Sequence, residues 1–177
     1  MTAADARRVA LFIAILAGFL TPFDLSAVNI ALPTIADEFS MDAILMGWVS
    51  TAYLLASAVF LVPFGRIADI YGRKRVFASG LSVFTLASFL MILAPSALAV
   101  ILLRILQGFG SAMIFGTAVA ILTSVTSPES RGKALGIYTT AVYLGLSMGP
   151  FFGGILTSLF GWRSIFFVNI PLGLSAI

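Results

Sequence analysis

Apolar residues fill the chain in long unbroken runs, and polar residues are confined to short stretches between them. The runs are Val9–Pro33, Ile44–Phe64, Val76–Leu93, Leu98–Val125 and Leu135–Phe160, and a further one begins near Ser164 and reaches Ile177. A helix needs roughly 20 mostly apolar residues to cross ~30 Å of hydrocarbon, and these runs have that length. Continuous apolarity, rather than alternation over ~10 residues, predicts helices and not barrel strands. The expected fold is an all-α polytopic membrane bundle with five transmembrane helices and the start of a sixth. No segment is left over for a soluble domain.

Composition agrees with the pattern: 60% of the 177 residues are hydrophobic and 10% are charged. Arg7 and Arg8 precede the first run as they would in a secretory signal. The run nevertheless continues through Pro22, Asp24 and Asn29 to Pro33 without a small-residue cleavage site, so it is expected to remain as a first span. Neither Cys nor His occurs, which excludes disulfides, thiolate or imidazole metal sites, and catalysis by either side chain. With no nucleophile–base pair and no phosphate-binding loop, an enzyme is not expected.

A sequence pI near 9.7 raises the question of nucleic acid, and the placement of the charges answers it. Arg7, Arg8, Arg66, Arg73, Lys74, Arg75, Arg131 and Lys133 fall on one side of the predicted membrane, Arg163 falls on the other, and Arg104 lies within a span. By the positive-inside rule the amino terminus and the loops at 65–75 and 126–134 are cytoplasmic, and the acidic turn with Asp37, Glu38 and Asp42 faces out. The expectation is a multi-pass plasma-membrane protein whose surroundings are lipid, not nucleic acid.

The segment after span two also aligns with the one after span five. Gly65 falls on Gly154 and Gly72 on Gly161 at one common offset, which places Tyr71 on Phe160 and Lys74 on Arg163. Three crossings separate the copies, so the pattern predicts inverted three-helix repeats. It also accounts for the single basic residue on the outer side.

Two ionisable residues lie deep in the apolar runs. Asp24 is ~24 Å along a helix from Arg8 and ~20 Å from Asp37, and Arg104 is ~14 Å from Pro95, so both fall near mid-membrane. On span four, Arg104, Gln107, Gly108 and Ser111 recur at helical spacing and form one polar, small-residue face. Gly108, Ala112, Gly116 and Ala120 form a ridge along which another helix can approach closely. Packing explains the glycines but not the arginine, which costs at least ~2.5–3.5 kcal/mol at the membrane centre and therefore requires an acidic partner or a water-filled cavity.

Four segments carry a resemblance to a known family. GRIADIYGRKR is similar to the loop 2–3 signature of the major facilitator superfamily at Gly65, Ala68, Asp69, Gly72, Arg73 and Lys74, although Ile70 stands where the family often has a basic residue. FLTPFDLSAVNIALP resembles the first span of the fourteen-span drug:proton antiporters, and GLSMGPFFGG resembles their span-five signature at Gly145, Gly149, Pro150, Gly153 and Gly154. GWRSIFFVNIPLG matches a following segment at Trp162, Arg163, Phe166, Asn169 and Pro171.

The resemblance implies the amino-terminal bundle of a proton-coupled multidrug exporter, with a second, carboxy-terminal bundle expected beyond Ile177. Asp24 would carry or control the exchanged proton, with Arg104 as its electrostatic partner. Asn29, Gln107 and Ser111 would border a substrate cavity. Asp69 and its basic neighbours would stabilise one state of a cytoplasmic gate. The implied energy source is the proton gradient with no cofactor, and the implied partner is a small amphipathic molecule. An importer or symporter on the same scaffold, or a membrane scaffold that transports nothing, are the alternatives.

Overall fold

A computed structural model describes the backbone of residues 3–176 and the side chains of Val9 and of residues 11–176. The side chains of Arg7 and Arg8, assigned to the cytoplasmic side from sequence, lie outside the described residues. Those residues form six helices: α1 (Ala3–Glu38), α2 (Ala43–Tyr71), α3 (Arg73–Ile92), α4 (Ala97–Ser124), α5 (Pro128–Phe160) and α6 (Arg163–Ala176). α1 to α5 are long and apolar enough to cross a membrane.

Local chemistry sets the ends of these helices. Asp42 accepts the Leu45 amide at 2.7 Å and Ser96 accepts the Ala99 amide at 3.3 Å, so each side chain satisfies a backbone donor that the first helical turn leaves free. Gly72, with φ of 101°, is a single-residue break, and Gly161, with φ of 79°, opens a two-residue one with Trp162; a side chain at either glycine would be strained. These are the two glycines paired by the internal repeat, and both lie where one helix of a repeat gives way to the next.

The loops are shorter than the apolar runs suggest. α2 continues through Gly65–Tyr71, and only Gly72 separates it from α3. Gly65 is therefore not a helix exit, and the cytoplasmic loop expected at 65–75 is a helix end, one glycine and a helix start. Charged residues are compatible with a helix, so the chain stops where backbone conformation demands it and not where apolarity ends. For the same reason Arg131 and Lys133 stand on the first turns of α5, not in a loop. α1 likewise runs unbroken through Pro22 and Pro33.

Packing repeats the inversion. α1 lies chiefly against α5, and α2 chiefly against α4, so exchanging the two repeats maps one contact onto the other. α4 and α6 flank α3. Close approach is made by glycine: a Cβ on Gly108 would sit 2.5 Å from the Tyr53 carbonyl oxygen and one on Gly116 3.2 Å from that of Leu61, so the predicted small-residue ridge is the seat of α2.

Two apolar clusters fill the interior. One contains Leu20, Phe84 and Ile114, the other Phe23, Val49 and Val100. A polar layer lies between them.

The helix ends sort by side. Arg163 forms an ion pair with Glu38 at 2.7 Å and donates to the carbonyls of Ile92 and Ala94, so the ends of α1, α3 and α5 share one rim. Single cysteines at Ser40 and Pro95 should react with an impermeant reagent from outside intact cells, and one at Ser127 only after permeabilisation. The reverse pattern of labelling would overturn the topology.

Candidate functional site

Asp24 on α1 and Arg104 on α4 have no exposed surface. Arg104 Nη1 donates to Asp24 Oδ2 at 2.6 Å, so the acidic partner that a membrane arginine requires is present. Arg104 is also held by α2: its Nε donates to the Val49 carbonyl at 3.2 Å, and its guanidinium lies over the Tyr53 ring, 4.2 Å from the centroid. Helical spacing on α4 brings Gln107 beneath it, where Oε1 accepts from Nη1 at 2.8 Å while Nε2 donates to Ser88 Oγ of α3 at 2.9 Å. The other oxygen of Asp24, Oδ1, accepts from Asn169 Nδ2 of α6 at 2.6 Å. Side chains from α1, α2, α3, α4 and α6 thus converge on one ion pair.

Stability alone does not account for such a pair. Desolvating two ions costs several kcal/mol each, and well-packed apolar residues in their place are often as stable or more so. What the pair adds is two opposite charges held by several helices in a dry interior.

An apolar cavity of about 210 Å³ opens beside the network, with Thr21, Pro22, Tyr53, Ser57, Ser111 and Phe115 in its wall. Tyr53 Oη donates to Ser111 Oγ at 2.9 Å while the Tyr53 ring underlies Arg104, so one side chain belongs to both the cavity wall and the charge network.

The structure places the sequence-derived candidates unevenly. Ser111 lines the cavity. Gln107 is fully buried and its amide is engaged at both ends, so it serves the ion pair and not the cavity surface. Asn29 is exposed on α1 and accepts from Ser50 Oγ at 2.5 Å, apart from the network. Tyr53, Ser88 and Asn169 were not among the candidates. Asn169 stood inside a matched segment, a usable signal, whereas Tyr53 is an ordinary aromatic in an apolar helix until α4 packs against it.

In the motif around Gly72, Asp69 accepts from Arg73 Nε and Nη2 at 3.2 and 3.1 Å across the helix break. Asp69 and Arg73 side chains are 59% and 45% exposed, so this pair is worth at most ~1 kcal/mol and is easily exchanged for another. Lys74 is exposed beside it.

The span-five motif faces α1 at the depth of Asp24. A Cβ on Gly145, Gly149 or Gly153 would come within 2.5 Å of the Phe19 carbonyl oxygen, 2.5 Å of Ser26 Cβ and 2.7 Å of Ala27 Cα respectively. Gly154 differs, since its Cβ would meet only Ile30 Cγ2 at 3.9 Å. Pro150 has no amide hydrogen to give the Leu146 carbonyl four residues earlier, and Ser26 Oγ of α1 donates to that carbonyl at 2.7 Å. The proline thus leaves an acceptor on α5 that α1 occupies.

Comparison with known proteins bears on the family and the fold. Residues 14–177 match the Major Facilitator Superfamily. The chain is 36% identical over 169 residues to "Riboflavin transporter RibZ" of Clostridioides difficile (strain 630), covering 96% of this chain and 37% of that protein. It is 41% identical over 157 residues to "Multidrug resistance protein Stp" of Mycobacterium tuberculosis (strain CDC 1551 / Oshkosh), covering 88% of this chain and 29% of that one. The chain thus spans about a third of the length of these relatives. Its fold is similar to a bacterial homolog of the human lysosomal transporter Spinster in an inward-facing, unoccupied conformation. There the TM-score is 0.85 at 24% identity, over 96% of this chain and 41% of that one.

Proposed function

The chain belongs to the Major Facilitator Superfamily, and from that membership we propose that it forms the amino-terminal bundle of a secondary transporter exchanging protons for drugs or other amphipathic molecules. The observation that carries this reading is the buried Asp24–Arg104 pair, joined to an apolar cavity through Tyr53 and Ser111. The cavity takes an apolar body and offers a few hydroxyls to orient it. Asp24 is the group whose charge a proton changes, and Arg104 is the neighbour that registers the change. A second bundle, carboxy-terminal to this one, completes the cavity, and the proton gradient supplies the energy with no cofactor.

Proton loading alters the ion pair, and the ion pair ties together α1, α2, α4 and α6 directly and α3 through Gln107. A carboxylate that gains a proton loses its attraction to Arg104, which keeps Gln107 and the Val49 carbonyl as partners. A preference of this kind between two states of charge is what allows a proton gradient to shift a conformational equilibrium.

The test is transport by the full reading frame in vesicles of the plasma membrane. Drug movement driven by an imposed pH gradient, lost when a protonophore collapses the gradient, is the expected result. Movement unaffected by that collapse would remove the exchange mechanism. Uptake of a metabolite is the second reading, favoured by the riboflavin transporter among the relatives. The direction of movement relative to the gradient separates the two.

The exposed Asp69–Arg73 pair fits a gate latch, because a weak surface pair opens and closes at little cost. Asp69→Asn should lower turnover several-fold with little change in apparent affinity for substrate. A change in affinity with unaltered turnover would exclude the gate role.

A further inference from the structure

Asn169 is buried completely on α6, and only half of its amide is accounted for. Nδ2 donates to Asp24 Oδ1 at 2.6 Å. Among the described residues Oδ1 of the same amide has no hydrogen-bond partner, although it is out of contact with solvent. A residue needed only to donate to a carboxylate would not carry a second polar atom into a dry interior, where an unmatched acceptor is costly.

From this we infer that Asn169 is the positioning residue that accommodates both protonation states of Asp24, donating through Nδ2 to the carboxylate and accepting through Oδ1 from the carboxylic acid. The inference rests on the reading of Asp24 as the exchanged-proton site. A carboxylate accepts only, whereas a carboxylic acid presents one O–H. Proton loading therefore turns the neighbour required from a donor into an acceptor. An amide carries both on one planar group, and rotation about its last bond exchanges them. The step balances simply: a proton from the gradient forms an O–H bond on Asp24, Nδ2–H withdraws, and the new O–H donates to Asn169 Oδ1. No other proton moves, and Arg104 stays cationic throughout.

The surroundings of Asp24 leave this task to Asn169. From α4 it is faced by Arg104 and from α2 by Tyr53. Arg104 has only donors. The Tyr53 hydroxyl is engaged with Ser111. α5 packs on α1 at this depth through Gly145, Gly149 and Gly153 and brings no titratable group between them. α3 reaches the network only through Ser88, which bonds Gln107. Asn169 alone among these neighbours both touches Asp24 and holds an unused acceptor.

Infrared difference spectra between high and low pH, recorded on the full reading frame with isotope-labelled asparagine, read the exchange directly. In the unaltered protein a carboxylic acid band should appear on acidification together with a shift of one side-chain amide band. Both should vanish in Asp24→Asn, and the amide shift alone should vanish in Asn169→Leu. Transport driven by a pH gradient should fall about tenfold or more in Asn169→Leu, the equivalent of one hydrogen bond to a charged group. Asn169→Thr should recover a substantial part, because a rotating hydroxyl can donate or accept. A titrating Asp24 band without any amide shift overturns the inference and leaves the proton site standing. So does unimpaired transport in Asn169→Leu, or transport by Asn169→Thr no better than by Asn169→Leu. The absence of any titrating band sensitive to Asp24→Asn overturns the proton site and this inference with it.

Discussion

Asp24→Asn is expected to abolish transport driven by a pH gradient and, by itself, to destabilise the bundle. The two losses have different causes. Neutralising Asp24 leaves the Arg104 charge fully buried with only neutral acceptors around it, the new amide oxygen, Gln107 Oε1 and the Val49 carbonyl. Breaking a buried pair from one side typically costs ~3–5 kcal/mol, a large fraction of a membrane bundle's stability. Loss of transport in the single variant therefore does not identify a proton carrier. The double variant Asp24→Asn with Arg104→Gln does, because it removes both charges while keeping hydrogen-bonding groups of similar size. Its unfolding temperature in detergent should recover most of what Asp24→Asn loses, since neutral replacements of a buried pair are often as stable as the pair. Its transport should not recover. Gradient-driven movement restored along with stability would make the pair structural and remove Asp24 from coupling. Arg104→Ala should instead displace the pH profile of drug binding, because the carboxylate loses the positive neighbour at 2.6 Å; an unmoved profile would reduce Arg104 to a structural role.

Asp24 and Arg104 are legible in the amino-acid sequence because the membrane makes charge conspicuous. An ionisable residue in the middle of an apolar run has no inexpensive explanation, and two of opposite sign at one depth point to each other. The repeat is legible for a similar reason, since Gly72 and Gly161 stand at positive φ where the backbone leaves few alternatives. Helix ends are less so. The run from Gly65 to Tyr71 is polar, and polarity reads as loop, yet nothing in it breaks a helix before Gly72. Hidden altogether are interactions that need two distant residues to be ordinary separately and informative together. Trp162 Nε1 and Arg163 Nη1 donate to Glu38 Oε2 at 2.7 and 2.8 Å, closing one rim across more than a hundred residues. The repeat accounts for a basic residue at this rim without naming its partner. Asn29 lies apart from the Asp24–Arg104 network, because polarity within an apolar helix does not say which way the helix is turned.

The span-five motif yields the second large effect, and it divides a signature that looks uniform in sequence. Gly149→Val should disrupt the protein, whereas Gly154→Val should be tolerated. At Gly149 a Cβ would lie 2.5 Å from Ser26 Cβ and 2.9 Å from the Ala27 amide nitrogen, so backbone as well as side chain stands in the way and no rotamer relieves the clash. Overpacking commonly costs ~1–3 kcal/mol, and here α1 would have to retreat along its whole contact with α5. That retreat would also part Ser26 from the Leu146 carbonyl, exposing an acceptor that Pro150 leaves without an intrahelical donor. Ser26 is two residues from Asp24, so the displacement reaches the ion pair. At Gly154 the added carbon meets only Ile30 Cγ2 at 3.9 Å, an ordinary contact. Expression level and unfolding temperature of the two variants, with Ser26→Ala as the hydrogen-bond control, decide the matter. Ser26→Ala should fold and lose a modest part of the stability, about 1 kcal/mol. Should Gly149→Val fold and transport as the unaltered protein does, α5 does not hold α1 in place, and the motif's role lies elsewhere than in setting Asp24 against Arg104.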